Sequence, residues 1–491
     1  MRYKEFQDYL NTSLVPITKL PQNLILPKNK KYNNEISKIN LVSTINSSND
    51  EIEWLSAFLN VCYGVPYLRF HYRGDQIICK PSRPVPSGGA FYPNEIYIIL
   101  FNRDCGRDEL YHYEVISHKL VLIRSGDVRA SIYTSLANSE GQDNSDLTII
   151  ITNVIDKNSV KYGGMSYRIQ TIDSGILLQR ILEASSDFDV ASEYHLDFID
   201  DTISSELHLD EKEGIMGVVT LRNTPVFNFN SLTNRHFSQV PCSNLDNHPL
   251  SEHFPLLNAV HQQTKHMSKK KSKLFDEDPP SVLFEGNAIY RLPDIEKKTL
   301  PLNKYLEDRD TTYHYFSNQQ ISLKDFSNLL GMAFDKSNKN YSENNGITSS
   351  LFCYCNNIEM INRGLYLYND KSHDLVQIWE GDFTHNLFST IVQPDFNINK
   401  SAAIFILSDA SENVEKGTRS YRKANIDCGI LMERLVHSSV INSLGQYPFL
   451  AYDVRDFKSE IVLPDPYLPL ALVFVGHKDS SHYMLKYPMY L

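Results

Sequence analysis

Two short stretches hold the residues that could do chemistry. In NSVKYGG, residues 158–164, an amine and a phenol stand side by side as Lys161 and Tyr162. Either can take up a proton if burial or a neighbouring charge lowers its pKa. By itself the stretch reads as a polar loop entering a helix. In SRPVPSGGAFYPNEIYIIL, residues 82–100, two prolines, a Ser-Gly-Gly-Ala turn and a Tyr-Pro pair run straight into an apolar strand. That much conformational punctuation suits a backbone that must come close to something. Read alone, it is equally an ordinary Pro/Gly turn.

The elements that would position these residues occur twice. KYGGMSYRIQTIDSGILLQRILEAS (161–185) aligns without a gap with EKGTRSYRKANIDCGILMERLVHSS (415–439). Ser166/Ser420, Tyr167/Tyr421, Arg168/Arg422, Asp173/Asp427, Gly175/Gly429 and Arg180/Arg434 are identical, and apolar residues follow at helical spacing. Buried-strand runs precede each helix (146–154, 401–409) and follow it (214–221, 470–477), and β-hairpin patterns lie further upstream (108–123, 363–378). Each half therefore reads helix, strand, hairpin, strand, long helix, strand. This predicts an α+β fold in tandem duplication, an intrachain pseudo-dimer. The expected division is an N-terminal half at 1–230, a linker and leading segment at 231–285, and a C-terminal half at 286–491.

Composition narrows the function. The chain of 491 residues is 42% hydrophobic and 22% charged, enough to bury large cores. A net charge of −11 argues against a general grip on nucleic acid. The one basic run, 269–273, meets DEDPP at once and reads as a solvated linker. The opening residues lack the apolar stretch of a secretory signal, and no window has the apolar length of a membrane span, so the expectation is cytoplasmic and not membrane-bound. Seven scattered cysteines include Cys353 and Cys355, expected as buried free thiols and not a metal site. His261 and His266 are expected on a polar helix face, and the Tyr313–Phe316 cluster as strand or core surface. No dinucleotide fingerprint, P-loop, GxSxG or HExxH motif is present.

The glycine turn with Arg83, Pro86, Ser87, Gly88, Gly89, Ala90, Tyr92 and Pro93 is followed by the hairpin LYHYEVISHKL. Then come Lys161, Tyr162, Gly163, Tyr167, Arg168 and Gly175. In this order the motifs resemble the SagB-type oxidase family, a branch of the flavin nitroreductase superfamily. The resemblance implies FMN as cofactor, with the glycine turn along its ring and the Lys-Tyr pair as catalytic candidate. Which of Lys161 and Tyr162 takes the proton stays open. The family's phosphate-binding Arg-Ser segment is missing from the first half. A degraded form stands in the second, with Arg309 out of register, Thr311 and Thr312 where Arg-Ser is expected, and His314 in place of the second Arg. The second half in turn lacks the glycine turn, and Glu415 and Lys416 replace the Lys-Tyr pair. Each half keeps what the other has lost, so the expectation is one composite site per chain and a dead mirror-image site.

The resemblance implies an FMN-dependent dehydrogenase that oxidises thiazoline or oxazoline rings of a ribosomally made peptide, as in thiopeptide maturation. Its implied partners are the azoline-containing precursor peptide and a cyclodehydratase or other maturation subunits, with a homodimer left open. The alternatives are a general NAD(P)H-dependent nitro or quinone reductase and a flavin-free scaffold subunit.

Overall fold

The apolar runs at residues 96–100 and 147–151 become neighbouring antiparallel strands, buried on both faces as continuous apolar runs require. The computed structural model describes residues 38–41, 50–73, 76–103, 106–137, 145–227, 255–268, 288–313, 315–335, 349–391, 402–409, 418–461, 463, 467–479 and 485–489, with Ser13, Lys30 and Tyr32. His314, Glu415, Lys416, the basic run and most of the linker lie outside the described residues.

The strands of the first half are β1 (Lys38–Asn40), β2 (Tyr67–Arg73), β3 (Gln76–Ser82), β4 (Asn94–Asn102), β5 (Arg107–Glu114), β6 (Lys119–Gly126), β7 (Leu147–Val154), β8 (Ala191–His195) and β9 (Glu213–Arg222). Those of the second are β10 (Ile289–Arg291), β11 (Ser350–Cys355), β12 (Gly364–Asn369), β13 (Asp374–Glu380), β14 (Ala402–Asp409), β15 (Gly445–Phe449), β16 (Tyr467–Gly476) and β17 (Leu485–Pro488). One seven-stranded sheet runs β1-β6-β5-β4-β7-β9-β8 and the other β10-β13-β12-β11-β14-β16-β15. Replacing each strand by its repeat partner turns one order into the other. The chain is a tandem duplication in topology as well as in sequence. The edge strands β8 and β15 were not expected. ASEYH and GQYPF are too short and too weakly alternating to stand out.

Two long helices, Ser166–Asp187 and Thr418–Ile441, lie packed together between the sheets. Nearly all their residues are buried, as befits helices enclosed on all sides. The larger apolar core draws on both halves, with Leu177, Leu178 and Ile181 from one helix and Ile430, Leu431 and Leu435 from the other, and a smaller one lies within the first half.

The hairpin motif proves structural in both copies. His118 and His373 each occupy the left-handed turn position, at φ 48° and 56°. Each ring bridges a strand tyrosine and a helix serine. His118 joins Tyr113 (2.8 Å) and Ser56 (2.9 Å), and His373 joins Tyr368 (2.8 Å) and Ser327 (2.7 Å). Burial pushes the His118 imidazole down to about 4, so it is neutral at pH 7.

Two elements cross the expected halves. The C-terminal β17 pairs with β2 of the first half, in a third sheet of order β17-β2-β3. The helix Pro255–Gln263 packs on the first half, where the His261 ring fills the space a side chain at Gly214 would need. His261 is thus a buried core residue with its pKa driven down by burial, not part of a polar face. Cys353 and Cys355 are buried free thiols in β11. Among the described residues, no helix is long and apolar enough to cross a membrane.

Candidate active site

The glycine turn is held under local strain. Gly89, Ala90 and Tyr92 all have positive φ, at 63°, 60° and 50°. Two of the three are not glycine, a conformation that persists only where the surroundings over-determine it. Ser87 supplies part of that determination. Its Oγ accepts from the Tyr92 amide (3.0 Å) and donates to Asp173 Oδ2 (2.7 Å), and the Gly88 amide also donates to Asp173 (3.2 Å). Asp173 sits on the first long helix, so the helix pins the turn. Burial raises its carboxyl to about 7, against the bonds from Ser87 and Gly88 that favour the charged form.

Gly88 has to be glycine because of what stands over it. A Cβ there would lie 2.4 Å from Ile169 Cγ2, and one at Gly89 would lie 3.0 Å from Tyr162 Oη. The Lys-Tyr pair is therefore folded directly against the turn. Lys161 and Tyr162 end the short helix Ser159–Tyr162, which Gly163 closes at φ 49°. Lys161 Nζ stands 5.3 Å from the centre of the Tyr162 ring. Burial lowers the Lys161 pKa and nearby Lys80 lowers it further, whereas burial pushes the Tyr162 phenol well above its ordinary value. Of the two, Lys161 is the readier base.

A cleft of about 370 Å³ opens over these residues. From the first half it takes Pro86, Ser87, Gly88, Gly89, Ala90, Lys161, Tyr162, Ile169 and Asp173; from the second it takes Arg309, Thr311, Tyr313, Tyr447, Pro448 and Phe449. Arg309 is 3% exposed, and its Nη1 donates to the carbonyl of Arg83 across the halves (3.0 Å). Its Nε and Nη2 have no hydrogen-bond partner among the described residues. A buried guanidinium with free donors facing a cleft suits a phosphate or carboxylate. A turn without side chains beside an aromatic wall suits a flat ring. The residues present fit an anionic, planar cofactor.

Other expected residues are placed elsewhere. Arg168 is fully buried between the halves and donates to the Leu470 carbonyl (2.6 Å), outside the cleft lining. Thr312 anchors the Arg309 segment to β15, exchanging bonds with Gln446 through its amide (2.8 Å) and its hydroxyl (3.0 Å). The Arg83 guanidinium lies between the Tyr63 and Tyr92 rings, at 4.6 and 4.1 Å, and faces a smaller cavity of about 160 Å³. The aromatic cluster divides. Phe316 is core, but Tyr313 joins Tyr447 at the cleft wall, ring centres 5.4 Å apart. Sequence reasoning missed Arg69, Lys80, Asp173 and the residues at the end of β15 and just after it. Only Asp173, identical in both repeats, carried a signal.

The mirror-image position is built differently. The register that pairs Ser166 with Ser420 pairs Ile169 with Lys423 and Ala451 with Asp197. Lys423 donates to Asp197 (2.8 Å), and Arg419 and Arg422 both bind Asp200 (2.8 and 2.7 Å). Burial opposes ionisation of Asp200, yet the two guanidiniums hold its carboxyl down at about 2. Paired charges stand there where the cleft has Ile169 and Ala451.

No family model matches the sequence. It is 23% identical over 136 residues to the microcin B17-processing protein McbC of Escherichia coli, covering 26% of this chain and 50% of that protein. The chain thus spans about half the length of the curated relative it matches. A crystal structure of a provisionally named nitroreductase from Anabaena variabilis superimposes with a TM-score of 0.76 and 20% identity, over 96% of this chain and 99% of that one. The chain has the nitroreductase fold. A chain of the E. coli microcin synthetase McbBCD complex with truncated pro-MccB17 bound matches at a TM-score of 0.30 and 16% identity, over 46% of this chain and 93% of that one. In this nitroreductase-fold protein, the near-complete mutual coverage of the Anabaena structure extends over both copies of the fold.

Proposed function

We propose that this protein is a flavin oxidoreductase that dehydrogenates azoline rings of a peptide, through one site per chain. The observation that carries the reading is the composition of the cleft: glycine turn, Lys161 and Tyr162 from one half, Arg309 and Thr311 from the other. When bound, FMN supplies the acceptor for the hydride that leaves the azoline ring. The glycine turn offers a flat contact to the ring without side chains in the way, and Arg309 offers its free donors to the phosphate. Converting an azoline to an azole also removes a proton from the neighbouring ring carbon. Lys161 Nζ takes that proton, and the Tyr162 phenol, protonated at neutral pH, orients the substrate by donating a hydrogen bond. Tyr313, Tyr447 and Phe449 shield the ring from water.

The test is the visible spectrum of the purified protein, with released flavin counted per chain. About one FMN per chain, bleached anaerobically by a thiazoline peptide and recovered with oxygen, is expected. Two tightly bound FMN per chain would overturn the composite single site. A colourless protein that FMN cannot reconstitute would leave a scaffold subunit.

A further inference from the structure

The sheet β17-β2-β3 covers one side of the cleft, and its strand register sorts the residues by face. Lys486 stands opposite Arg69, and Arg69 opposite Lys80, so three cations form a row across one face. Asp310 holds the first two, at 3.7 Å from Lys486 and 3.2 Å from Arg69. Lys80, on the last strand, instead lines the cleft and has no ion-pair partner among the described residues. The opposite face is apolar and open. Leu485 and Tyr487 on β17 and Ile77 on β3 are each more than 60% exposed, and Cys79 is exposed beside them. Beyond β3 no further strand is paired among the described residues. Soluble proteins blunt or cover such edges, because unpaired backbone donors and acceptors recruit another strand. Here Pro81 alone interrupts the donors, near the end of β3, and residues 76–80 keep their N–H groups.

We propose that the open edge of β3 receives the substrate as an added β-strand, laying an extended peptide along the cleft. The inference rests on the reading above that the substrate is a peptide. A fourth strand beside β3 takes the next place in the row that ends at Lys80, and the face carrying Lys80 is the face that meets the cleft. An azoline ring is built into the main chain, from the preceding carbonyl carbon and the residue's own N, Cα and Cβ, so it lies in the line of the added strand; the alternation of the strand turns its reacting carbons toward the cleft at every second position and away at the intervening ones. Main-chain recognition of this kind is indifferent to most side chains, and it lets one site act at several positions along a peptide as the strand shifts by two residues.

The probe is a short glycine–serine peptide carrying one thiazoline, N-methylated at one backbone amide at a time and bound to the full-length protein. Methylation at every second amide is expected to weaken binding by about fivefold to tenfold, with the amides between them tolerant. Bound peptide is also expected to slow alkylation of Cys79. A flat methylation scan, or Cys79 labelling that the peptide leaves unchanged, would overturn the proposal. So would concentration-dependent dimerisation through β3 that the peptide does not disrupt. Flavin bleaching by a free small thiazoline separates the two readings. Bleaching with a flat scan removes the edge proposal alone, and alternation without any bleaching removes the oxidase reading but keeps strand addition.

Discussion

Gly175 and Gly429 face each other where the two long helices cross. A Cβ on Gly175 would lie 2.0 Å from the Ile426 carbonyl oxygen and 2.9 Å from Gly429 Cα; a Cβ on Gly429 would meet the Ile172 carbonyl oxygen at 2.1 Å and Gly175 Cα at 2.9 Å. The contact is with backbone on both sides and cannot be relieved by a rotamer change. The two positions are repeat partners, so the crossing marks the pseudo-two-fold axis. Gly175→Ala or Gly429→Ala is expected to destabilise the protein by about 3 kcal/mol or more, because overpacking here forces the helices apart. Urea unfolding with a tryptophan signal measures it, and a loss within error of zero would show that the helices can slide.

Lys161→Ala should keep the flavin and slow its reduction by roughly 100-fold, the scale of a general base. Tyr162→Phe should slow it less, since the phenol stays protonated at neutral pH. Because the proton acceptor must be the free amine, the rate should rise with pH as Lys161 deprotonates. Burial and then Lys80 lower the Lys161 pKa, so Lys80→Met should raise that pKa and move the ascending limb to higher pH. Stopped-flow bleaching across pH reads both effects.

Arg309→Ala removes the buried donors at the second-half wall. Flavin affinity should fall about tenfold to a hundredfold, matching about 1.5–3 kcal/mol for a hydrogen bond to a charged group. Arg309→Lys should recover part of it by charge alone. Flavin retention on ultrafiltration distinguishes the three proteins, and equal retention would remove Arg309 from the cofactor site.

Asp173 should leave a signature in the pH dependence of stability. Its folded-state pKa is raised from the ordinary 3.8 to about 7, so between those values the folded chain holds a proton that the unfolded chain releases. The stability contributed by this group therefore falls as pH rises across that window, by at most about 1.4 kcal/mol per pH unit. Asp173→Asn keeps an acceptor for Ser87 and should flatten the difference. Chemical denaturation of both proteins at pH 4.5 and 7.5 makes the comparison; parallel curves would mean that Asp173 is ionised throughout.

The duplication was legible because it rests on local repeats: the Ser166/Ser420 helix, the strands around it and the hairpins. The glycine turn and Lys161–Tyr162 stood out as candidates through the order of motifs that resembles a known family, since each stretch alone reads as an ordinary turn or loop. What escaped depends on the other half of the chain. Arg168 is identical in the two repeats, yet it donates to the Leu470 carbonyl, more than half the chain away. Thr312 is held by Gln446, and neither stretch names the other. Lys80 and Arg69 line the cleft from β3 and β2, in a sheet that β17 of the other half completes. Pairing partners are a property of the packed chain, and single-strand patterns do not carry them.

The Lys423–Asp197 and Arg419–Asp200 pairs at the mirror position have a further meaning. In an assembly of two identical chains every substitution appears twice, once at each end, and a change that closes one site closes both. Joining the copies in one chain lifts that constraint. One end can give up its opening for a dry ionic clasp while the other specialises. The return route is narrow, because removing one partner of such a clasp strands a buried charge. The asymmetry is in this sense a ratchet, built from residues outside the cleft lining.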